Sequence, residues 1–314
     1  MHENVHYIRQ FPEPGCFDHS AELWNSRFQD SFVVVNCFSK KIYYPKHWTP
    51  FSIKCAFGGK EHYRFNDKSY SVYGDAFLLL NEGNEYASSI EADDIQVESL
   101  SLNYSRHSLQ LFTAAYSSRP DSLLDDDPLN YTGQPLNYFD KLYRYTPRLL
   151  HYINLFRQQL QQEVVDKNIL NELAYLSLEE LAKIQSETCK EIDQVAAKKR
   201  STREELFKRL HLARDYMYSC YQEPITLDTL ASICYLNPCY LLREFKRLFG
   251  ITPHQYLTAI RLENARQQLG DTQKSMTEIL SESGFSDLSS FSKLFKRSYL
   301  ASPSHFRMAA DRKN

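Results

Sequence analysis

The sequence predicts an α+β protein in which an antiparallel β-sandwich with trailing helices precedes an all-helical C-terminal part. Three observations support this prediction: short apolar runs with turn clusters between them over residues 31–103, helical spacing of apolar residues after position 136, and a repeat in the last third of the chain. A length of 314 residues predicts two domains. We place them at residues 1–188 and 201–314, joined by a connector over residues 189–200.

The sandwich is predicted from five short apolar runs, of which the last alternates apolar and polar residues. They are Phe32–Phe38, Phe51–Phe57, Ala76–Leu80, Tyr86–Ile90 and Ile95–Leu102. Turn-forming clusters such as Gly58-Gly59 and Gly74-Asp75 separate them. Several short strands at close intervals are typical of a small antiparallel sandwich or barrel.

The segment after the sandwich changes to helical spacing. Residues 104–118 predict one helix, residues 119–135 predict a loop containing Asp125–Asp127, and a later helix carries the stripe Leu149, Ile153, Phe156 and Leu160. Such a stripe has two interpretations. It packs on the strands of its own domain, or it forms a helix pair between two copies of the chain, which predicts a homodimer through residues 136–188.

Composition and motifs argue against several classes of protein. Apolar residues make up 42%, no apolar run approaches the roughly 18 residues of a membrane span, and the N-terminus lacks the apolar stretch of a secretory signal. Seven scattered cysteines without a CxxC pair indicate a reduced protein of the cytoplasm. No phosphate-binding loop, dinucleotide fingerprint or nucleophile motif occurs, so we expect neither an enzyme nor a cofactor.

Charge changes near the predicted boundary. Residues 1–199 carry 20 Lys+Arg against 27 Asp+Glu, whereas residues 200–314 carry 17 against 12. A basic tail behind an acidic front suggests a polyanionic partner. Ser201 and Thr202 are each followed three residues later by Glu, which predicts that one of them caps the first C-terminal helix.

The tail repeats itself with a period of 50 residues. The matched pairs are Phe245-Lys246-Arg247 with Phe295-Lys296-Arg297, Thr252-Pro253 with Ser302-Pro303, Tyr256 with Phe306, Leu230 with Leu280, Tyr235 with Phe285, Asn237 with Asp287, Leu241 with Phe291 and Arg243 with Lys293. Matched residue types at so many positions indicate two copies of one supersecondary unit.

Each copy has the capping signals of two short helices joined by a turn. In the first copy Thr226 and Asn237 are the caps, Pro238 opens the second helix and Gly250 ends it. The corresponding signals of the second copy are Ser275 with Glu278, Gly284 in the turn, and Asp287 before a helix over about Leu288–Leu300. A linker helix runs from Thr252-Pro253 to before Gly270. This is the helix-turn-helix arrangement, whose second helix enters the major groove of DNA.

The second helix of each copy is amphipathic. Its buried stripe is predicted as Leu241, Phe245 and Leu248 in the first copy, and Phe291 and Phe295 in the second. The residues that face away are Cys239, Leu242, Arg243 and Lys246, and then Ser289, Ser292, Lys293 and Lys296. Arg and Lys can donate to guanine, and Ser can donate or accept at base edges. The alternative is a solvated basic face, which the matched copies disfavour.

Over about residues 203–307 the tail resembles the DNA-binding domain of the AraC-type transcription regulators. The segments that carry the resemblance are Ile225-Thr226-Leu227, Asn237, Tyr240-Leu241, Arg243-Glu244-Phe245-Lys246, Gly250-Ile251-Thr252-Pro253, Gly284-Phe285-Ser286-Asp287, Ser290-Phe291-Ser292-Lys293 and Ser302-Pro303. Two positions depart from the family pattern: Leu300 stands where Gly is usual, and Asn237 where Ser is common.

The resemblance implies two helix-turn-helix units on one linker helix, inserted into successive major-groove segments. It puts base-reading residues at Cys239, Leu242, Arg243, Ser289, Ser292 and Lys293. Phosphate contacts are expected from Asn237, Lys246, Arg247, Lys296 and Arg297.

The front half resembles the ligand-sensing half of the same family, a cupin-like β-sandwich followed by helices. The matching segments are Gly58-Gly59, Val72-Tyr73-Gly74-Asp75, Phe77–Leu80 and Asn81-Glu82-Gly83. His47, His62 and Glu61 are the only candidates for a cupin metal set, and Tyr86 stands where a further His is needed, so we expect no metal. The resemblance implies a small-molecule effector, whose contact residues the sequence does not identify.

We therefore expect a cytoplasmic transcription regulator, interpreted as an activator, with double-stranded DNA, an effector and RNA polymerase as partners. The residues alone do not distinguish activation from repression. One alternative is a protein-binding sensor or co-regulator whose helical tail contacts a protein, because Cys239 and Leu242 offer DNA only apolar contacts. Another is a cupin enzyme fused to a DNA-binding tail.

Overall fold

A computed structural model describes residues 4–10, 24, 27–28, 31–66, 68–92, 95–117, 137–270 and 274–311. The predicted loop with Asp125–Asp127 lies outside these residues. The chain divides into two compact units, Met1–Glu191 and Ile192–Asn314. The first is built on sheets and the second is helical, which confirms the predicted α+β class. None of the described helices is long and apolar enough to cross a membrane.

The first unit is a sandwich of two sheets. Its strands are β1 (Val5–Ile8), β2 (Phe32–Ser39), β3 (Lys41–Trp48), β4 (Phe51–Phe57), β5 (Glu61–Phe65), β6 (Lys68–Val72), β7 (Ala76–Leu80), β8 (Glu85–Glu91), β9 (Val97–Tyr104) and β10 (Leu142–Arg144). One sheet has the order β1-β2-β9-β4-β7-β10 and the other β3-β8-β5-β6. All described strand pairs are antiparallel except β1 with β2.

Three helices accompany these strands: α1 (Arg106–Ser117), between β9 and β10, and α2 (Pro147–Gln161) and α3 (Lys167–Gln194), after β10. The last three residues of α3 belong to the second compact unit. The α2 stripe of Leu149, Ile153, Phe156 and Leu160 is buried in one core with residues of the six-stranded sheet. The rings of Phe156 and Phe32 lie 6.0 Å apart. Each such side chain contributes about 1.5–3 kcal/mol by burial. The interpretation of this stripe as a dimer interface is therefore wrong, because its own sheet already covers it.

The second unit contains seven helices in its described part: α4 (Arg200–Ser219), α5 (Leu227–Ile233), α6 (Pro238–Phe249), α7 (Pro253–Gln268), α8 (Met276–Glu282), α9 (Leu288–Tyr299) and α10 (Pro303–Asp311). The predicted caps Thr226, Asn237, Ser275 and Asp287 all accept hydrogen bonds from backbone amides of the following turn. These caps are confirmed.

The predicted start of α4 is wrong. Neither Ser201 nor Thr202 caps the helix, because Lys199 holds the N-cap position and forms no side-chain cap. Arg203 instead donates to the carbonyl oxygens of Ala197 and Lys198, at 3.2 and 3.3 Å, and thereby ties down the chain just before the helix. Both hydroxyl residues consequently lie inside the first turn.

The repeat is not a uniform 50 residues. Thr226 and Ser275 cap α5 and α8 at a separation of 49, whereas Asn237 and Asp287 cap α6 and α9 at a separation of 50. The second copy therefore has one extra residue in its turn. The predicted pairing of Tyr235 with Phe285 is wrong by one position: Tyr235 matches Gly284, since both have positive φ, 53° and 75° respectively.

Candidate nucleic-acid interface

Helices α6 and α9 are the second helices of the first and the second helix-turn-helix unit, and packed aromatic side chains hold both helices in place. Phe245 and Phe295 are fully buried, as are Leu241 and Phe291. The Phe245 ring lies 4.4 Å from that of Phe249, and the Phe295 ring lies 5.7 Å from that of Phe306. Leu248, predicted to be buried, is half-buried. This packing leaves the opposite face of each helix to the solvent.

The N-terminus of α6 carries a neutral cap. The Oδ1 atom of Asn237 accepts hydrogen bonds from the amides of Cys239 and Tyr240, at 3.0 and 3.4 Å. Its Nδ2 atom remains as a donor, and Asn237 and Cys239 are both exposed. A helix N-terminus with a neutral cap attracts anions, because backbone dipoles concentrate positive potential there.

The exposed face of α6 combines one apolar residue with three cations. Leu242, Arg243, Lys246 and Arg247 are all exposed, as the spacing predicts. Arg243 donates from Nε to Oε1 of Glu244 at 2.8 Å, and its guanidinium carbon lies 5.1 Å from the centre of the Tyr240 ring. Lys246 and Arg247 occupy the last turn of the helix.

Helix α9 presents a similar face behind an anionic cap. Asp287 accepts hydrogen bonds from the amides of Ser289 and Ser290, at 3.3 and 2.6 Å. The hydrogen bonds from Ser290 hold the pKa of the Asp287 carboxyl below its usual range. Ser289 and Lys293 are exposed, and Ser292 is half-buried. Lys296 and Arg297 are exposed in the last turn, at the positions of Lys246 and Arg247 in α6.

Two residues near these faces escaped the sequence prediction. Glu244 is buried, with 5% of its surface exposed, although it is charged. Its spacing of three residues from Leu241 and four from Leu248 already puts it on the apolar face of α6, which was the available signal. Leu288, the first residue of α9, is 51% exposed, and it was counted only as the start of the helix.

The sandwich of the first unit has a polar interior. On β4, Phe51, Ile53 and Cys55 face the helical core, so Lys54 faces the other sheet. Its Nζ donates to Oγ of Ser101 at 2.7 Å and lies 4.7 Å from the centre of the Tyr86 ring, on that other sheet. Burial lowers the pKa of Lys54 to about 7.

Glu61 is the second buried charge of this interior, with 2% of its surface exposed. Burial raises the pKa of its carboxyl, against hydrogen bonds from Ser99 and Tyr63. Its Oε2 atom has no hydrogen-bond partner within the described ranges. The prediction considered Glu61 only as a metal ligand and overlooked Lys54, although a lysine inside the apolar run Phe51–Phe57 is a visible signal.

The candidate metal ligands do not come together as a set. His62 forms a hydrogen bond of 2.9 Å with Ser71 on the neighbouring strand, and Nδ1 of His47 lies 2.8 Å from the carbonyl oxygen of Pro45. The part of the chain that the structure describes contains no group of three His, Cys, Asp or Glu side chains able to hold a metal ion.

Comparisons with known proteins concern the second unit. Residues 230–309 match the family described as "Helix-turn-helix domain". The "Probable transcriptional regulator LumQ" of Photobacterium leiognathi is 35% identical over 96 residues, which are 31% of this chain and 39% of that protein. The "HTH-type transcriptional activator RhaS" of Enterobacter sp. (strain 638) is 34% identical over 103 residues, 33% of this chain and 37% of that protein. The chain thus spans less than two fifths of the length of these relatives.

Solved structures match the same region. One is the C-terminal domain of AraT, a response regulator from Geobacillus stearothermophilus, with 30% identity, 32% of this chain and 84% of that chain covered, and a TM-score of 0.31. Another is a probable AraC family transcriptional regulator from Rhodopseudomonas palustris CGA009, with 23% identity, 32% and 96% coverage, and a TM-score of 0.31.

Proposed function

We propose that this chain is a transcription regulator that binds specific DNA sequences through residues 201–314, because its C-terminal helices match the helix-turn-helix domain family and are similar to part of the transcriptional activator RhaS. The observation that carries the proposal is the pair of amphipathic helices α6 and α9, which expose cations at matched positions. Arg243, Lys246 and Arg247 correspond to Lys293, Lys296 and Arg297. We propose the cytoplasm as its location, because a regulator of this kind must reach the DNA that it controls.

The roles of the exposed residues follow from their chemistry and their place on the helices. Residues in the first half of a recognition helix reach base edges, so the proposed base-reading residues are Cys239, Leu242, Arg243, Ser289, Ser292 and Lys293. Cations in the last turn of each helix can contact the phosphates of the DNA backbone. The proposed phosphate contacts are therefore Lys246, Arg247, Lys296 and Arg297, with Nδ2 of Asn237 as a further donor. Cys239 and Leu242 can touch the methyl group of thymine.

The test is selection of bound duplexes from a random library by the full chain at about 150 mM salt, the range in which specific and non-specific binding separate. We expect two short boxes about one helical turn apart. Arg243→Ala and Lys293→Ala should each relax one base position at a cost of about 1–3 kcal/mol. If no motif is selected, or if binding to DNA does not depend on salt, the proposal is rejected. Either result would favour a tail that binds a protein, with the exposed side chains of Leu242 and Leu288 as the contacts.

We further propose that a small-molecule effector binds inside the sandwich of the first unit. The buried charges of Lys54 and Glu61 support it, because a purely structural sandwich interior is apolar and buried charges destabilise a fold unless they are satisfied. The net charge of this pair is zero, which suits a neutral or zwitterionic molecule that offers a hydrogen-bond donor to Oε2 of Glu61. Glu61→Gln should abolish effector-dependent transcription from a reporter promoter while DNA binding by the purified chain persists.

Two further partners belong to the proposal. RNA polymerase is the partner through which a DNA-bound activator acts. A homodimer through residues 136–188 would have to use surfaces other than the covered stripe of α2, such as the exposed side chains of Val164 and Ile169. Sedimentation of the full chain with and without Ile169→Glu tests this, and an unchanged sedimentation coefficient would reject that surface.

A further inference from the structure

We propose that Glu244 is a positioning residue of the first helix-turn-helix unit, where it holds the guanidinium of Arg243 in the orientation that reads one base pair. This inference rests on the proposed function. Glu244 is a buried carboxylate on the proposed recognition helix α6, and burial of a charged side chain costs free energy unless the charge is paired.

The geometry joins a fixed anchor to an exposed reader. The side chain of Glu244 is 6% exposed and that of Arg243 is 69% exposed, and Nε of Arg243 lies 2.8 Å from Oε1 of Glu244. The bond uses Nε and leaves the N–H groups of both terminal nitrogens of the guanidinium. Two parallel N–H groups are what guanine O6 and N7 accept.

Neighbouring side chains restrain both members of the pair. The guanidinium carbon of Arg243 lies 5.1 Å from the centre of the Tyr240 ring, one turn earlier on α6. Glu244 lines a small crevice with residues from the end of α3, from α4 and from α6 itself, namely Gln194, Val195, Leu210, Arg247 and Leu248. All these residues belong to the second compact unit, so the carboxylate of Glu244 is enclosed within that unit.

Restraint of this kind changes specificity more than affinity. A free arginine samples many rotamers and can move from a base edge to a phosphate, so it gains energy on any sequence. An arginine that a carboxylate already holds loses less conformational entropy when it binds the correct base. The carboxylate also repels the phosphate backbone of DNA. We therefore expect Glu244 to favour the correct base at one position over all others.

The second helix-turn-helix unit provides an internal comparison. Lys293 occupies the position of Arg243, and the residue after it is Leu294, which packs against the apolar core of that unit. The carboxylate that interacts electrostatically with Lys293 is the exposed cap Asp287, not a buried neighbour in the chain, and a lysine ammonium on its flexible stem is a point charge without a fixed fork of donors. The positioning device therefore belongs to the first helix-turn-helix unit, and substitutions of Glu244 should leave the box read by the second helix-turn-helix unit unaltered.

The experiment measures base preference with the full chain. Binding is titrated on the duplex selected by the wild type and on its three variants at the base pair where Arg243→Ala loses discrimination. The proteins are wild type, Glu244→Gln, Glu244→Met, Arg243→Ala and Glu263→Gln. Met fills the buried site without a polar group, which keeps the test usable if Gln destabilises the fold. Glu263→Gln is the control for the loss of a paired carboxylate: Glu263 is half-buried on α7, pairs with Arg266, accepts a hydrogen bond from Tyr299 of the second helix-turn-helix unit, and forms no described bond with Arg243.

We expect the wild type to prefer its base by about 10-fold or more, the range of a bidentate arginine contact. Both Glu244 variants should reduce this preference to about 3-fold or less and leave all other positions unchanged, whereas Glu263→Gln should retain it. A merely structural role would lower affinity equally on every duplex.

Preference retained in Glu244→Met but lost in Arg243→Ala would overturn the positioning role and leave the proposed function intact. A wild type that selects a motif without any contribution from Arg243 would overturn the positioning role as well. A wild type that selects no motif would overturn the proposed function itself.

Discussion

Replacing Leu300 by glycine should stabilise the second helix-turn-helix unit. Leu300 ends α9 in the left-handed region, with φ 59° and ψ 8°, and its amide donates to the carbonyl oxygen of Lys296. A side chain in this conformation costs about 1–2 kcal/mol relative to glycine. The side chain is 89% exposed, so its removal gives up almost no packing.

The net gain is smaller than the backbone strain. Glycine makes the unfolded chain more flexible, which costs about 0.4–1 kcal/mol. The difference leaves a stabilisation of about 0.5–1 kcal/mol, equivalent to roughly 2- to 5-fold slower opening. Amide hydrogen exchange of α9 and α10, read peptide by peptide in the full chain, measures this change locally.

The first helix-turn-helix unit supplies the reciprocal control. Gly250 occupies the same position after α6 with φ 77°, and a Cβ atom there would meet no other atom within 4 Å. Gly250→Leu should therefore speed exchange in α6 by a similar factor, through backbone strain alone. Exchange in α9 that is unchanged or faster in Leu300→Gly would refute the argument, because it would mean that the leucine stabilises this end of the helix.

Three further predictions follow from other sites. Gly284→Ala should destabilise the second compact unit by about 2 kcal/mol or more, because a Cβ atom at this position would lie 2.7 Å from the carbonyl oxygen of Tyr221 and because the backbone φ of 75° disfavours a side chain. An unchanged thermal unfolding temperature would contradict this. In the wild type, the free energy of unfolding of the first compact unit should rise by up to about 4 kcal/mol between about pH 7 and 10, because in this range Lys54 is protonated in the unfolded chain and deprotonated in the folded one. Lys54→Met should remove this rise. Urea unfolding followed by fluorescence measures it, since both tryptophans lie in that unit, and a variant that keeps the rise would assign it to another group. Lys246→Ala should weaken binding to all duplexes alike and reduce the salt slope by about one unit, and an unchanged slope would remove Lys246 from the phosphate contacts.

The helical unit could be predicted from sequence in detail because its signals are local. A cap such as Thr226 or Asp287 acts within one turn of its helix, so residue type and spacing suffice to identify it. The errors arose where a contact from elsewhere decided the outcome. The start of α4 depends on Arg203 bonding back to Ala197 and Lys198, and no capping pattern reveals that.

The sandwich was predicted in outline only. Strand β3 was missed because Pro45 interrupts it and because its exposed positions carry polar side chains; it is an edge strand with an irregular register between Tyr44 and His47, where proline is tolerated. The α2 stripe shows a different limit. Helical spacing of apolar residues predicts that a face is buried but does not specify which surface buries it.

The two helix-turn-helix units agree inside and differ outside, and the difference has one direction. Their buried stripes match because each must fill the same space between three helices. On the exposed side, the first unit has a neutral cap at Asn237 and an arginine anchored by Glu244, whereas the second has an anionic cap at Asp287 and a lysine beside Leu294. Packing does not require this asymmetry. It is the pattern expected if the first helix-turn-helix unit discriminates between bases more sharply than the second, because an anchored fork of donors selects geometry more strictly than a flexible ammonium does.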